Sequence, residues 1–485
     1  MKKFLAVSLL LCMLIPLLVA CNGGEQTGNE VETTDAVETL PLPEANPTWV
    51  GKEYSIIYRE NYAYETVYNE EEAGAVINDA IYSRNKAVET LYGVKFVYHP
   101  ITGSFEEGML TPVNNTIMSG DDAYSLVSGM QYRLAPNATT GNFLDWYQLP
   151  HINLNAEWWD RGYLDAASYN NHTYVAAGPL SLSYLYSCSA IYMNQDILNN
   201  NTEGGAADVY AKVKNGTWTY EAFYNYVTQC TANLGDDVWD ENDQYGYAAN
   251  HNTAIDSFVF AFNQPFTKRN NKGELSLISA NGNEKMIDIA NKIHVLYNTS
   301  GNCFNQSNGF SDDIDIHLGM MLRGRAAFSA DYLGIAQHLR TTDINYGIVP
   351  YPKWDADQEE YCSNTMDFCS VFAIPITVKD QAFVGAVTEA LAYYSNTYVK
   401  DALYNTVLKY RDAQDVDSSE SIGIIIGNIK HDFAYIYAFM WGDQTGPTHV
   451  LRQCIKAGSA GISSSYKMGE KTFNGKLEDF LEKFK

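Results

Sequence analysis

The chain has 485 residues, 58 of them acidic against 32 basic, a formal net charge of −26 and 46% hydrophobic residues. So acidic a chain is repelled by phosphate backbones, which argues against nucleic-acid binding, and its apolar fraction builds a real core, which argues against wholesale disorder. The 36 tyrosines stand out: each offers an apolar face and a polar tip, a combination suited to wet recognition surfaces.

Lys2 and Lys3 precede an apolar run from Phe4 to Ala20, the layout of a secretory leader. The run holds Ser8 and Pro16 and is short for a membrane span. Leu18-Val19-Ala20-Cys21 resembles the bacterial lipobox, which implies removal of residues 1–20 and lipidation of Cys21. Residues 22–47 carry six acids, no base and no aromatic, and end on Pro41, Pro43 and Pro47. Such a segment cannot bury enough surface to fold, so 21–47 reads as a lipidated cysteine and a flexible tether. The expected location is the extracellular face of the cell membrane. Cys188, Cys230, Cys303, Cys362, Cys369 and Cys454 remain. Their even number permits disulfides, and a chain of this size can equally bury free thiols.

The folded part starts near Thr48. Residues 54–58 (YSIIY) read as a strand. Ile77, Ile81, Val88 and Leu91 share one face at helical spacing, and Gly93 is placed to end that helix. Residues 94–98 (VKFVY) alternate as a second strand, a helix ends near Gly120, and 124–127 form a third strand. Strand and helix in alternation predict an α/β layer with parallel strands. Thr219 is a helix cap with Glu221 in the first turn. Residues 344–349 and 371–374 read as strands closed by Pro350 and Pro375, and 382–394 as a helix. Leu477, Phe480, Leu481 and Phe484 mark a final amphipathic helix.

Motifs for covalent chemistry are missing. The sequence holds no HExxH, GxSxG, phosphate-binding loop or GxGxxG, and no two histidines at helical spacing. The reading is therefore not an enzyme, with no cofactor and no metal. Asp121-Asp122, Asp236-Asp237 and Asp312-Asp313 read as solvated turns. Oxygens of the Asp236 to Asp243 loop could ligate calcium, but the spacing fails the EF-hand rule, and a solvated turn is the preferred reading.

Gly216-Thr217-Trp218-Thr219-Tyr220-Glu221-Ala222-Phe223, the acidic loop and Tyr245-Gly246 together resemble the extracellular solute-binding proteins of bacterial ABC importers, of the carbohydrate-binding, maltose-binding-like family 1. Residues 78–93, 145–160, 171–198, Gly324-Arg325-Ala326-Ala327-Phe328, 346–350 and 372–375 continue the resemblance in the family's order, so that it covers about residues 50–460. It implies an α/β, two-lobed periplasmic-binding-protein-like fold with an inter-lobe ligand cleft and hinge crossings. Lobe one would be 48–186 plus 366–409, and lobe two 187–365 plus 410–485.

The resemblance places ligand contacts in loops beyond the carboxyl ends of strands. The candidates are Glu60 and Asn61 after the first strand and Gln131 and Tyr132 after the third. Tyr184 lies in the hinge crossing and His251 in the loop after Tyr245. Asp331 and Tyr332 follow the Ala-Ala-Phe stretch, and Trp441 lies near the C-terminal helices. A sugar stacks its C–H face on an aromatic ring and needs fixed donors and acceptors for its hydroxyls; ordinary core packing is the competing reading for each ring, and the preferred one for Trp158-Trp159. The expected partners are a small-molecule solute, an oligosaccharide, and a membrane ABC permease, with a lipid anchor, no nucleic acid and a monomeric chain. A surface glycan-degrading enzyme, with two carboxylates facing across a bond, is the alternative reading, as is a non-transport receptor or adhesin.

Overall fold

The computed structural model describes residues 41–66, 75–102, 110–236, 238–305 and 316–485. All the described residues but Pro41 belong to one compact unit, Leu42–Lys485. Cys21, the leader and most of the tether lie outside the described residues, as do Asp237 and the Asp312-Asp313 pair.

Three parallel strands open the fold: β1 (Glu53–Arg59), β2 (Lys95–Ile101) and β3 (Leu126–Met130). The helix Val76–Tyr92 joins the first two, burying Ile81, Val88 and Tyr92 against the sheet. It ends where the sequence signals, because Gly93 adopts φ 68°, a left-handed conformation that costs glycine little, and returns its N–H to Glu89 O. β3 starts two residues and ends three residues beyond the predicted strand, since its ends are set by pairing with Ile56 of β1 and with Ser370 across the sheet rather than by local propensity.

The chain then crosses into a second sheet through the helix Leu182–Tyr186 and β4 (Ser189–Asn194), which precedes β5 (Tyr245–Ala248). A hairpin of β6 (Thr267–Arg269) and β7 (Leu275–Leu277) follows, and β8 (Cys303–Phe304), β9 (Ala326–Tyr332) and β10 (Tyr346–Val349) complete the sheet in the order β10-β4-β9-β5-β8. β11 (Ser370–Ala373) returns antiparallel to β3 and closes the first sheet as β11-β3-β1-β2. Two sheets with helices on their faces, joined by crossing segments, make a two-lobed α/β architecture.

Under the first sheet Trp158 and Trp159 are buried, and both indole N–H groups donate to the Glu389 carboxylate (2.9 and 3.0 Å). The six described cysteines are free and buried. In the acidic loop, Asp243 Oδ1 accepts from the Leu234 N–H and Oδ2 from the Asp240 N–H (2.8 Å each), so these oxygens build the turn. No group of three His, Cys, Asp or Glu side chains among the described residues is arranged to hold a metal. The last helix, Ile462–Leu481, is longer than its amphipathic end suggested, and Phe480 and Phe484 pack on Phe433 and Tyr437. Residues 433–441 rest on helices Gln131–Ala138 and Arg161–Ala167, whereas the helix Val450–Lys456 rests on Glu284–Asn298 beside the second sheet.

Candidate functional site

The turn after β1 and the end of β9 meet at one cavity. After Arg59 the chain makes a tight turn, residues 60–65, that presents Tyr62 and Tyr64. Tyr64, Tyr186 from the crossing helix and Tyr332 from the end of β9 line a cavity of about 440 Å³ with Gln337, His338 and Arg340. The rings fall in two groups: Tyr62 to Tyr64 at 5.8 Å and Tyr64 to Tyr186 at 6.3 Å on one side, and Tyr332 to Phe368 at 5.3 Å on the other. The Arg59 guanidinium lies 3.5 Å from the Tyr62 ring centroid, a cation–π contact that holds the turn. Tyr192 fixes the other wall by donating its hydroxyl to the carbonyls of Tyr332 and Leu333 (3.0 Å each). Gly334 leaves room for the Tyr332 ring, because a Cβ there would stand 2.9 Å from it.

The location follows the general rule for α/β sheets, in which ligands lie beyond the carboxyl ends of strands. A second cavity, of about 360 Å³, is lined by Arg133 and Asn137 on the helix that follows β3, by Thr140 in the turn after it, and by Phe439 and Lys476 from the C-terminal segments. The tyrosine-lined cavity offers ring faces beside an amide, an imidazole and a guanidinium. Arg340 is itself held by Asp412 (2.7 Å).

Of the residues singled out from the sequence, Tyr332 lies at this cavity, with Asp331 buried behind it and accepting from the Tyr332 N–H (2.9 Å). Glu60 and Asn61 are exposed at the start of the turn. Tyr132 and Gln131 are buried: the Tyr132 hydroxyl donates to Asp443 (3.1 Å) and accepts from the Gln444 N–H (3.0 Å), and its ring meets Phe439 and His449. His251 is 3% exposed beside Tyr297, and burial pushes its imidazole down to about 4.

Two aromatics depart from the expected role. Trp441 is 3% exposed, its indole N–H donates to Phe473 O (3.0 Å), and Gly446 packs on its ring, so no face is open to a sugar. Tyr184 is committed to a buried trio: its hydroxyl donates to Asp160 (2.7 Å) and lies 2.8 Å from His431 Nε2, with the two rings stacked at 22°. Burial lowers the pKa of His431 while Asp160 opposes the shift.

Several charged residues had no place in the sequence reading. Arg59 and Glu65 bracket the aromatic turn, both buried. Arg452 forms a two-point ion pair with Asp256 and stands 3.9 Å from Asp367, both partners held below the surface. One faint signal existed for Arg59: it continues the alternation of Ser55 and Ile57 along β1, and Ile57 is fully buried.

No protein-family model matches the sequence, and no curated protein does. Solved structures do. The ABC substrate-binding protein Lmo0181 from Listeria monocytogenes, in complex with cycloalternan, is 11% identical over 88% of this chain and 99% of its own, with a TM-score of 0.55. A family 1 extracellular solute-binding protein from Bifidobacterium longum subsp. infantis is 12% identical over 89% and 100%, with a TM-score of 0.53. UgpB from Mycobacterium tuberculosis, in complex with glycerophosphocholine, is 11% identical over 88% and 98%, with a TM-score of 0.54. These neighbours are binding proteins, and the chain has their two-lobed α/β fold, that of the family 1 extracellular solute-binding proteins.

Proposed function

We propose that the protein is the lipid-anchored, substrate-binding component of an ABC importer. It captures an oligosaccharide between lobes 48–186 plus 366–409 and 187–365 plus 410–485, closes about the hinge, and delivers the sugar to a membrane permease without covalent chemistry. The observation that carries this reading is the cavity where Tyr64, Tyr186 and Tyr332 converge from a loop of the first sheet, the crossing and a strand end of the second. Ring faces next to fixed polar groups are what a sugar ring and its hydroxyls require. The lipobox at Cys21 and the acidic tether support the anchor, and the neighbours' complexes with oligosaccharides support the class of solute.

Calorimetry and thermal-shift measurements against maltotetraose, cycloalternan, glycerophosphocholine, short peptides and polyamines test the reading. A neutral oligosaccharide is expected to bind; a response to peptides or polyamines with silence across sugars would sink the sugar assignment. Tyr186→Ala and Tyr332→Ala should each weaken the sugar about tenfold or more, the usual loss for an aromatic anchor in a recognition site. Unchanged affinity in both would remove the cavity from consideration. Globomycin-sensitive processing and loss of palmitate labelling in Cys21→Ala check the anchor.

A further inference from the structure

The turn that follows β1 is held by a buried charge at each end. At its start, Arg59 Nη2 donates to Ser370 Oγ (2.9 Å) and to the Phe368 carbonyl (3.0 Å), both on the segment that returns to the first sheet. At its end, Glu65 is fully buried, and its Oε1 accepts from the Ser183 N–H (2.6 Å) and the Ser181 hydroxyl (3.0 Å). Ser181 caps the crossing helix Leu182–Tyr186 by accepting from the Tyr184 N–H (3.2 Å). The two anchors meet, because the Ser370 N–H donates to Ser183 Oγ (2.8 Å). From the lobe side, Arg84 donates to the carbonyls of Glu65 (3.1 Å) and Thr66 (3.3 Å). Tyr62 and Tyr64 lie between the anchors, and Tyr186 is the last residue of the helix that begins at Glu65's donors.

A buried carboxylate that accepts from a backbone amide and a hydroxyl is a stronger tie than a neutral contact, and removing it takes the acceptor from the Ser183 N–H, while the Ser181 hydroxyl keeps Ser183 Oγ at 3.2 Å. A surface turn without such ties would have to be ordered when solute arrives, and that ordering would subtract from affinity. Here outgoing and returning crossings are fastened to the same turn. We propose that Glu65, together with Arg59, is a positioning residue that makes the aromatic turn and the lobe-one ends of both crossings one rigid body, so that contact with Tyr64 and Tyr186 is felt at the hinge. The proposal rests on the solute-binding reading for its function, while the rigid body itself can be measured without solute.

Hydrogen exchange of the solute-free full chain, read by mass spectrometry, provides that measurement. Glu65→Ala should speed exchange of the Ser183 and Tyr184 amides about tenfold or more. Glu65→Gln keeps an acceptor oxygen for both donors and should stay within about twofold of the parent. Peptides from β5 and β9 should not change in either. Equal protection in Glu65→Ala and the parent overturns the proposal, and so does acceleration spread evenly over both sheets, the mark of a merely weaker fold. If Glu65→Ala does not fold, Ser370→Ala, which removes one of the two acceptors of Arg59 Nη2 and loosens that end, is read in the same way at residues 60–66. Calorimetry with maltotetraose then asks for the functional consequence: about tenfold weaker binding in Glu65→Ala, through faster dissociation, and rescue in Glu65→Gln. Equal affinities in all three chains overturn the positioning role. A parent chain that binds no sugar counts against the solute-binding reading and leaves the exchange experiment to decide this one.

Discussion

Asp256→Ala is expected to lower folding stability by about 3–5 kcal/mol, the usual cost of orphaning one partner of a buried ion pair. Asp256 and Arg452 are each 2% exposed. Arg452 Nε donates to Asp256 Oδ1 at 2.7 Å and its Nη2 to Oδ2, a two-point contact that matches the guanidinium's planar fork. Without Asp256 the guanidinium keeps only Gln444 Oε1 (3.2 Å) and the more distant Asp367 carboxylate (3.9 Å). A buried charge with so little compensation is costly. Urea denaturation should show a lower midpoint with an unchanged slope, since the surface exposed on unfolding stays the same. The paired variant Asp256→Leu with Arg452→Met should recover much of the loss, because apolar side chains of similar size often replace a buried ion pair without penalty. If the paired variant is no more stable than Asp256→Ala, the orphaned charge is not the cause. The location gives the pair its weight: it joins the helix Thr253–Ala261, which starts directly after the loop that carries His251, to the helix Val450–Lys456.

The local grammar of the first sheet was legible because short-range rules decide it. The helix Val76–Tyr92 and its end at Gly93 need only apolar spacing and a left-handed glycine, and β1 and β2 need only a compact apolar run between breakers. The two-lobed order was legible through a run of weak motifs in sequence. Of the rings at the candidate site, Tyr332 was singled out from the sequence, whereas Tyr64 and Tyr186 were not, although they lie close in the chain to Asn61 and Tyr184. Trp441 carried the same kind of signal and went to the core, because residue type and motif position do not say which side of a short helical turn faces the last helix. Tyr435 and Tyr437, in the same segment, are buried as well: Tyr435 packs on Phe260, and the Tyr437 hydroxyl donates to Ala167 O (2.8 Å). Glu65 was missed in favour of Glu60 and Asn61 because the turn reverses within a few residues, and only its bonds to Ser181 and Ser183 show which acid points inward. Arg452 and Asp256 were illegible for a more general reason. Charged residues are exposed by default, and only the partner, 196 positions away, overrides that default.

Acid should destabilise the protein through its buried histidines, and the clearest measure is the contrast with a His251→Asn variant. Burial, with Lys456 adding to it, holds the His251 imidazole down at about 4, against 6.5 for a free histidine. Its folded-state value is thus the lower one. The unfolded chain takes up a proton as pH falls below about 6.5, while the folded chain resists until about 4. The stabilisation is therefore complete above 6.5 and is lost as pH falls through 4, a loss of roughly 3 kcal/mol at most. His449, pushed down to about 3 by burial and by Arg452, and His431, lowered by burial, act in the same direction. Three buried carboxyls act in the opposite one. Asp367, Asp432 and Glu389 are raised by burial, so each adds stability as pH falls. The raw stability curve mixes both groups, whereas the difference between parent and variant isolates His251. Urea midpoints at about pH 7, 5.5 and 4 should show the parent's advantage over His251→Asn shrinking by roughly 3 kcal/mol across the series. A difference that stays constant with pH would mean that the folded protein protonates His251 as readily as the unfolded chain does, and the imidazole would then belong to the solvated cleft rather than to the packed layer against Tyr297.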